Sequence, residues 1–135
     1  MAETLRLEVV TPSRRVLDIR AEEVRIPGAQ GELGILPGHT PLLTSLGTGD
    51  LKWTEGSKPG RLVVQGGFAE IQPDAVTVLA SVAETADQID LEAAVRAHAE
   101  TMEKLKTASA EEFEELDAAL RLAEARKRIA SGGGP

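Results

Sequence analysis

The sequence predicts an α+β fold: an N-terminal all-β sandwich or flattened barrel of about ten short strands, then an antiparallel two-helix hairpin. Two observations carry this expectation. Short alternating apolar segments separated by Gly and Pro fill the first part of the chain, and between Pro73 and Gly132 neither Gly nor Pro occurs. The expected division is residues 1–86 for the head and 87–135 for the hairpin.

The head is read element by element from its alternation. Leu5, Leu7 and Val9 interleave with Arg6 and Glu8, which gives a strand one dry and one wet face. Val24 and Ile26 repeat the pattern around Arg25, and Leu51 and Trp53 repeat it around Lys52. Leu62-Val63-Val64, Phe68 to Ile71 and Val76 to Leu79 supply the later strands. Thr11-Pro12-Ser13, Pro27-Gly28, Pro37-Gly38, Gly47-Thr48-Gly49, Gly56 to Gly60, Gly66-Gly67 and Pro73-Asp74 mark the turns between them.

In the tail, Leu91, Val95, His98, Met102 and Leu105 are spaced as a heptad-like seam along one helix, and Asp90 stands where an N-cap belongs. The break is expected at Lys106-Thr107-Ala108. Ser109 and Glu112 then form a capping-box pattern, and Phe113, Leu116, Leu120 and Ala123 give the second seam. Acidic residues crowd the first turns of that helix and Arg126, Lys127 and Arg128 its last, as the macrodipole favours. A loop this short returns the second helix antiparallel to the first. Ser131 to Pro135 reads as a flexible Gly-rich end. The thin, Ala-padded seam makes the hairpin marginal by itself, and hence an element able to dock, open or insert into a partner.

Composition narrows the function. The 135 residues include only two Phe, one Trp and no Tyr, so the core is expected to be aliphatic, and readings that need aromatic platforms for bases or sugars are weakened. A formal net charge of −7 opposes nucleic-acid binding, which needs a basic field. No Cys means no disulfide, no thiolate metal site and no Cys nucleophile. The N-terminus lacks a charged leader with an apolar core, and no apolar run approaches a bilayer span, so any membrane attachment runs through partners.

The residues give catalysis little support. His39 and His98 are the only histidines, and neither has a second ligand or carboxylate at a recognisable metal spacing. The segment Gly28 to Gly34 lacks the Lys-Ser/Thr pair of a phosphate loop, and no Gly-x-Ser-x-Gly elbow occurs. No catalytic residue, metal site or cofactor is assigned, and the reading that remains is a binding or regulatory part of a larger assembly. A rival reading is a β-sandwich binding module with a helical oligomerisation tail.

The runs Leu5 to Ser13, Glu22 to Gly28 and, above all, Gly31-Glu32-Leu33-Gly34-Ile35-Leu36-Pro37-Gly38-His39-Thr40-Pro41-Leu42-Leu43 resemble the epsilon subunit family of F-type ATP synthases. Gly66 to Ile71 and Val76 to Ala80 are similar to the family's later strands, so the resemblance spans nearly the whole chain. It implies a non-catalytic rotor part at the foot of the central stalk, against the gamma subunit and the membrane ring of c subunits. It places Glu32, Gly34 and His39 at the ring. It also implies that the hairpin can extend toward the alpha and beta subunits and restrain ATP hydrolysis, with Arg121, Arg126, Lys127 and Arg128 facing an acidic segment of beta.

Some members bind ATP at the hairpin through an Ile/Leu-Asp-x-x-Arg-Ala motif. Here Ile89, Asp90 and Ala94 match it and Glu84 lies upstream, but Ala93 replaces the arginine, the residue best suited to a phosphate. The implied location is peripheral, on the cytoplasmic side of a bacterial membrane or the equivalent thylakoid face.

Overall fold

In the computed structural model, which describes residues 3–132, the alternation of Leu5, Leu7 and Val9 becomes strand β1 (Leu5–Val10), with all three apolar side chains buried. β2 (Arg15–Ala21) pairs with it antiparallel, and β3 (Glu23–Gly28) and β4 (Gly31–Ile35) form the next hairpin. β5 (Leu42–Ser45), β6 (Thr48–Glu55), β7 (Lys58–Gln72) and β8 (Ala75–Glu84) complete the head.

The described strands therefore number eight rather than about ten, because Lys58–Gln72 is one long strand. The expected break at Gly66-Gly67 is a bend within it: β7 stays in one register with β8 from Gln72↔Ala75 to Val63↔Glu84. Gly67 has φ of +95°, and a Cβ there would lie 1.9 Å from the Leu79 carbonyl oxygen. Only glycine permits both the dihedral and the approach.

That bend makes two layers from one ladder ordered β2-β1-β8-β7-β6-β3-β4. The second half of β7 also pairs with β5, and its first half pairs with β6. A Gly28↔Leu46 bridge ties the end of β3 to the segment after β5, and the bond from the Glu22 N–H to the Thr54 carbonyl extends the β3–β6 ladder. The result is the expected sandwich or flattened barrel. Its core contains Leu5, Leu7, Ile26, Ile35, Leu51, Leu62, Ile71 and Val76, all fully buried and all aliphatic. Trp53 packs on the rim and faces Gly60 across the ladder, where a Cβ would come within 2.2 Å of the indole.

Beyond a single turn of 3-10 helix at Ala86–Gln88, α1 (Leu91–Leu105) and α2 (Ala110–Ala130) form the hairpin. Both expected caps are present. Asp90 accepts from the Ala93 N–H at 3.1 Å, and Ser109 and Glu112 form the reciprocal capping box. The expected seam of α1 is displaced. Ala94 and Thr101 are buried, whereas Leu91, Val95 and Met102 lie exposed. Small side chains let the helices approach closely, and Thr101 satisfies its hydroxyl on the Ala97 carbonyl at 2.7 Å. On α2, Phe113 is likewise exposed, and Ala123 is the seam residue that is buried. Residues 133–135 of the expected flexible end lie outside the described residues.

Candidate functional site

The helices meet the head through α2. Leu62, Val63 and Val64 are all fully buried, although successive strand residues point to opposite faces. Leu62 and Val64 belong to the sandwich core, while Val63 joins a separate cluster with Ala125, Ile129, Ile89 and Leu122. Gln65 adds a bond from its Nε2 to the Ala118 carbonyl at 3.1 Å.

Two arginine forks flank this small apolar contact. Arg126 donates from Nε and Nη2 to the two Glu84 oxygens at 2.7 and 3.0 Å. Arg128 donates to Asp50 Oδ1 from Nη2 at 2.6 Å and from Nε at 3.2 Å. The hydrogen bond to Asp50 raises the Arg128 pKa, so that guanidinium is charged at any accessible pH. Arg121 pairs along its own helix with Asp117 at 3.0 Å, and Lys127 is half-buried on the last turns of α2. The four basic residues share one helix, but two of them already grip carboxylates of the head.

Glu32 and Gly34 stand exposed on β4. Glu32 takes part in a charge network with Arg25 at 3.3 Å and Lys52 at 3.7 Å. Gly34 pairs with Arg25 in the β3–β4 ladder and has open space where a side chain would be. His39 lies beyond the other end of β4, with its Nδ1 2.6 Å from the Thr40 carbonyl, the N–H donating. The Gly38 N–H is tied to the Pro73 carbonyl at 2.7 Å, which anchors this turn to the β7–β8 turn. The three residues thus mark the two ends of one strand rather than a single cluster.

The sequence reading missed an apolar surface formed by β5, β7 and β8. Leu43 is 68% exposed, and Phe68 and Leu79 are each 54% exposed. Phe68 sits opposite both Ser45 of β5 and Leu79 of β8, and Leu43 lies two residues along from Ser45. The side chains therefore line the solvent face of adjacent strands. Parity was the available signal: Ala69 and Ile71 alternate inward, which places Phe68 outward with Glu70.

Glu84, Ile89 and Asp90 do converge, in a cleft of about 440 Å³ between the hairpin helices and the end of β8. Its donor set does not fit a nucleotide polyphosphate. Among the described residues its lining offers one cation, Arg126, which Glu84 already neutralises, together with a second carboxylate, Asp90, and walls of alanine and leucine. No group of metal-ligating side chains occurs among the described residues, and no described helix is long and apolar enough to cross a membrane.

Comparison with known proteins places this architecture. Residues 4–86 match the model of the ATP synthase delta/epsilon chain β-sandwich domain. The chain is 41% identical over 136 residues to ATP synthase epsilon chain 2 of Syntrophotalea carbinolica, covering 99% of each. It is 43% identical over 133 residues to the ATP synthase epsilon chain of Geotalea uraniireducens, covering 97% of this chain and 96% of that one. Among solved structures, it superposes with a TM-score of 0.78 and 25% identity on a chain of the Euglena gracilis mitochondrial ATP synthase OSCP/F1/c-ring assembly, covering 90% of this chain and 78% of that one. The fold recurs in the central stalk and c-ring structure from Tetrahymena thermophila, at a TM-score of 0.61 and 14% identity, covering 91% and 96% of the two chains. An aliphatic sandwich followed by a docked helical hairpin, related along its whole length to these chains, belongs to the ATP synthase delta/epsilon family.

Proposed function

We propose that this chain is the epsilon subunit of an F-type ATP synthase, a non-catalytic part of the central stalk that joins the gamma subunit to the ring of c subunits. The observation that carries this reading is the uncovered apolar face of Leu43, Phe68 and Leu79, in a chain related over its full length to ATP synthase epsilon chains. Large apolar side chains grouped on the wet face of a sheet mark a surface made to be covered. Gamma is the proposed occupant. Glu32 and Gly34 on β4, with His39 in the turn beyond it, are proposed to face the polar loops of the ring.

The hairpin is proposed to act as a brake on ATP hydrolysis by reaching the alpha and beta subunits. Arg121, Arg126, Lys127 and Arg128 would then meet carboxylates of beta. Because Arg126 and Arg128 hold Glu84 and Asp50 in the docked form, extension exchanges one set of carboxylates for another instead of exposing bare charge. That exchange keeps the cost of movement low. The chain itself performs no bond chemistry, and it is held peripherally at the cytoplasmic face of the membrane by its partners.

Kinship with the family removes the reading of an unrelated module with an oligomerisation tail. The decisive experiment is co-elution of the chain with the gamma-containing catalytic complex from its own source on a sizing column. Stoichiometric binding is expected, and no binding at micromolar concentration would overturn the proposal.

A further inference from the structure

The cleft between α1, α2 and the end of β8 has the place of a ligand pocket but is chemically closed from within. Its one cationic side chain among the described residues, Arg126, spends two donors on the two Glu84 oxygens in a paired fork. Both side chains are only about a quarter to a third exposed, at 25% and 32%, so the pair is partly shielded from water and from salt. Asp90 is committed too, since its Oδ1 caps α1 through the Ala93 N–H. The remaining wall is alanine, leucine and isoleucine together with Gln88 and Thr101, and it presents no further positive charge.

We infer that Glu84 is the internal ligand of this cleft. It takes the position on Arg126 that an anionic ligand would need, and the hairpin stays docked on the head without any nucleotide. An incoming polyphosphate would have to displace Glu84 and would leave two carboxylates, Glu84 and Asp90, facing its own negative charge. Ala93 stands on the cleft wall where a second guanidinium would be needed to reverse that balance. The fork joins residues 42 positions apart, one at the end of the last strand and one on α2. It therefore closes the segment that contains the 3-10 turn, α1 and the turn between α1 and α2. Docking becomes a built-in property of the chain, independent of the energy state of its surroundings. This inference rests on the geometry of the single chain and not on its assignment to the stalk.

The test is amide hydrogen exchange on the full chain, alone and with millimolar Mg-ATP, followed for α1, α2 and, as a folding control, β7 and β8. Without substitution, ATP is expected to leave helix protection unchanged. Glu84→Gln and Arg126→Gln are each expected to speed exchange in both helices by about tenfold, with the strands unaffected, and the double variant is expected to add little beyond either one. Saturable protection by ATP at sub-millimolar concentration would overturn the inference, because the cleft would then accept the polyphosphate. Unchanged helix exchange in both single variants would overturn it as well, because the fork would then hold nothing. The ATP titration needs no variant, so a variant that fails to fold leaves the inference open to refutation.

Discussion

Asp50 holds Arg128 across 78 positions of sequence and also lies 3.7 Å from Arg61, so one nearly buried carboxylate serves two arginines from two different elements. Arg61 belongs to β7 and stays with the head, whereas Arg128 moves with α2. If the hairpin lifts, Asp50 keeps a cation beside it. Asp50→Asn is expected to destabilise the folded chain by ~2 kcal/mol, and Arg128→Gln by ~1 kcal/mol, because only the first loosens both arginines. Urea unfolding followed by far-UV circular dichroism measures both. Equal losses, or a larger loss for Arg128→Gln, would refute the shared-carboxylate account.

Phe68 and Leu79 face each other on the solvent side of the head and contribute nothing to its core. Replacing both by Ser should change folding stability by less than about 1 kcal/mol, as exposed sites do. Binding to the gamma-containing complex should weaken by at least about tenfold. Unaltered affinity would remove this face from the interface.

No residue beyond Ala83 belongs to the main core, so the head should fold without its helices. Truncation after Glu84 is expected to leave binding to the complex and ATP synthesis largely intact and to raise ATP hydrolysis. A hydrolysis rate equal to that of the full chain would leave only the coupling role.

Glu112 accepts from the Ser109 backbone N–H at 3.1 Å and from its hydroxyl at 2.9 Å. The backbone bond first, then the hydroxyl bond, holds the carboxyl below its ordinary value of 4.5. A carboxyl lowered in the folded state stabilises above that ordinary value, and the contribution disappears as pH falls through the lowered one. The start of α2 should therefore fray in acid. Glu112→Gln keeps an acceptor for the Ser109 N–H but cannot titrate, so it should preserve the helix start and abolish the acid transition. Backbone amide chemical shifts of residues 109 and 112 through the acid range report this directly, and matching titrations in the two proteins would contradict it.

Much of the architecture was legible because its rules are local. Leu5, Leu7 and Val9 announce a half-buried strand, and Asp90 and the Ser109–Glu112 pair start their helices where the spacing places them. The seam of α1 was misread, since Leu91, Val95 and Met102 are its largest regular apolar row while the closer packing belongs to Ala94 and Thr101. Size and spacing identify an apolar face, but which part of it meets a neighbour depends on how near the neighbour can come. The outward Phe68 and Leu79 escaped for a related reason, because apolar character says that a residue can be buried and not that it is.

The sequence by itself determined the aliphatic β head, the two capped helices and the family resemblance. All follow from residue types and from spacings of a few positions. Tertiary structure alone decided that Val63 is covered by α2, that Gly67 bends one strand through two layers, and that Arg126 and Arg128 close on Glu84 and Asp50. Those partners lie far apart along the chain, and a charge or an apolar side chain carries no local mark of the group that will satisfy it. Only docking of the hairpin on the head chooses among the possible partners, by bringing one carboxylate within hydrogen-bond reach and leaving the others in water.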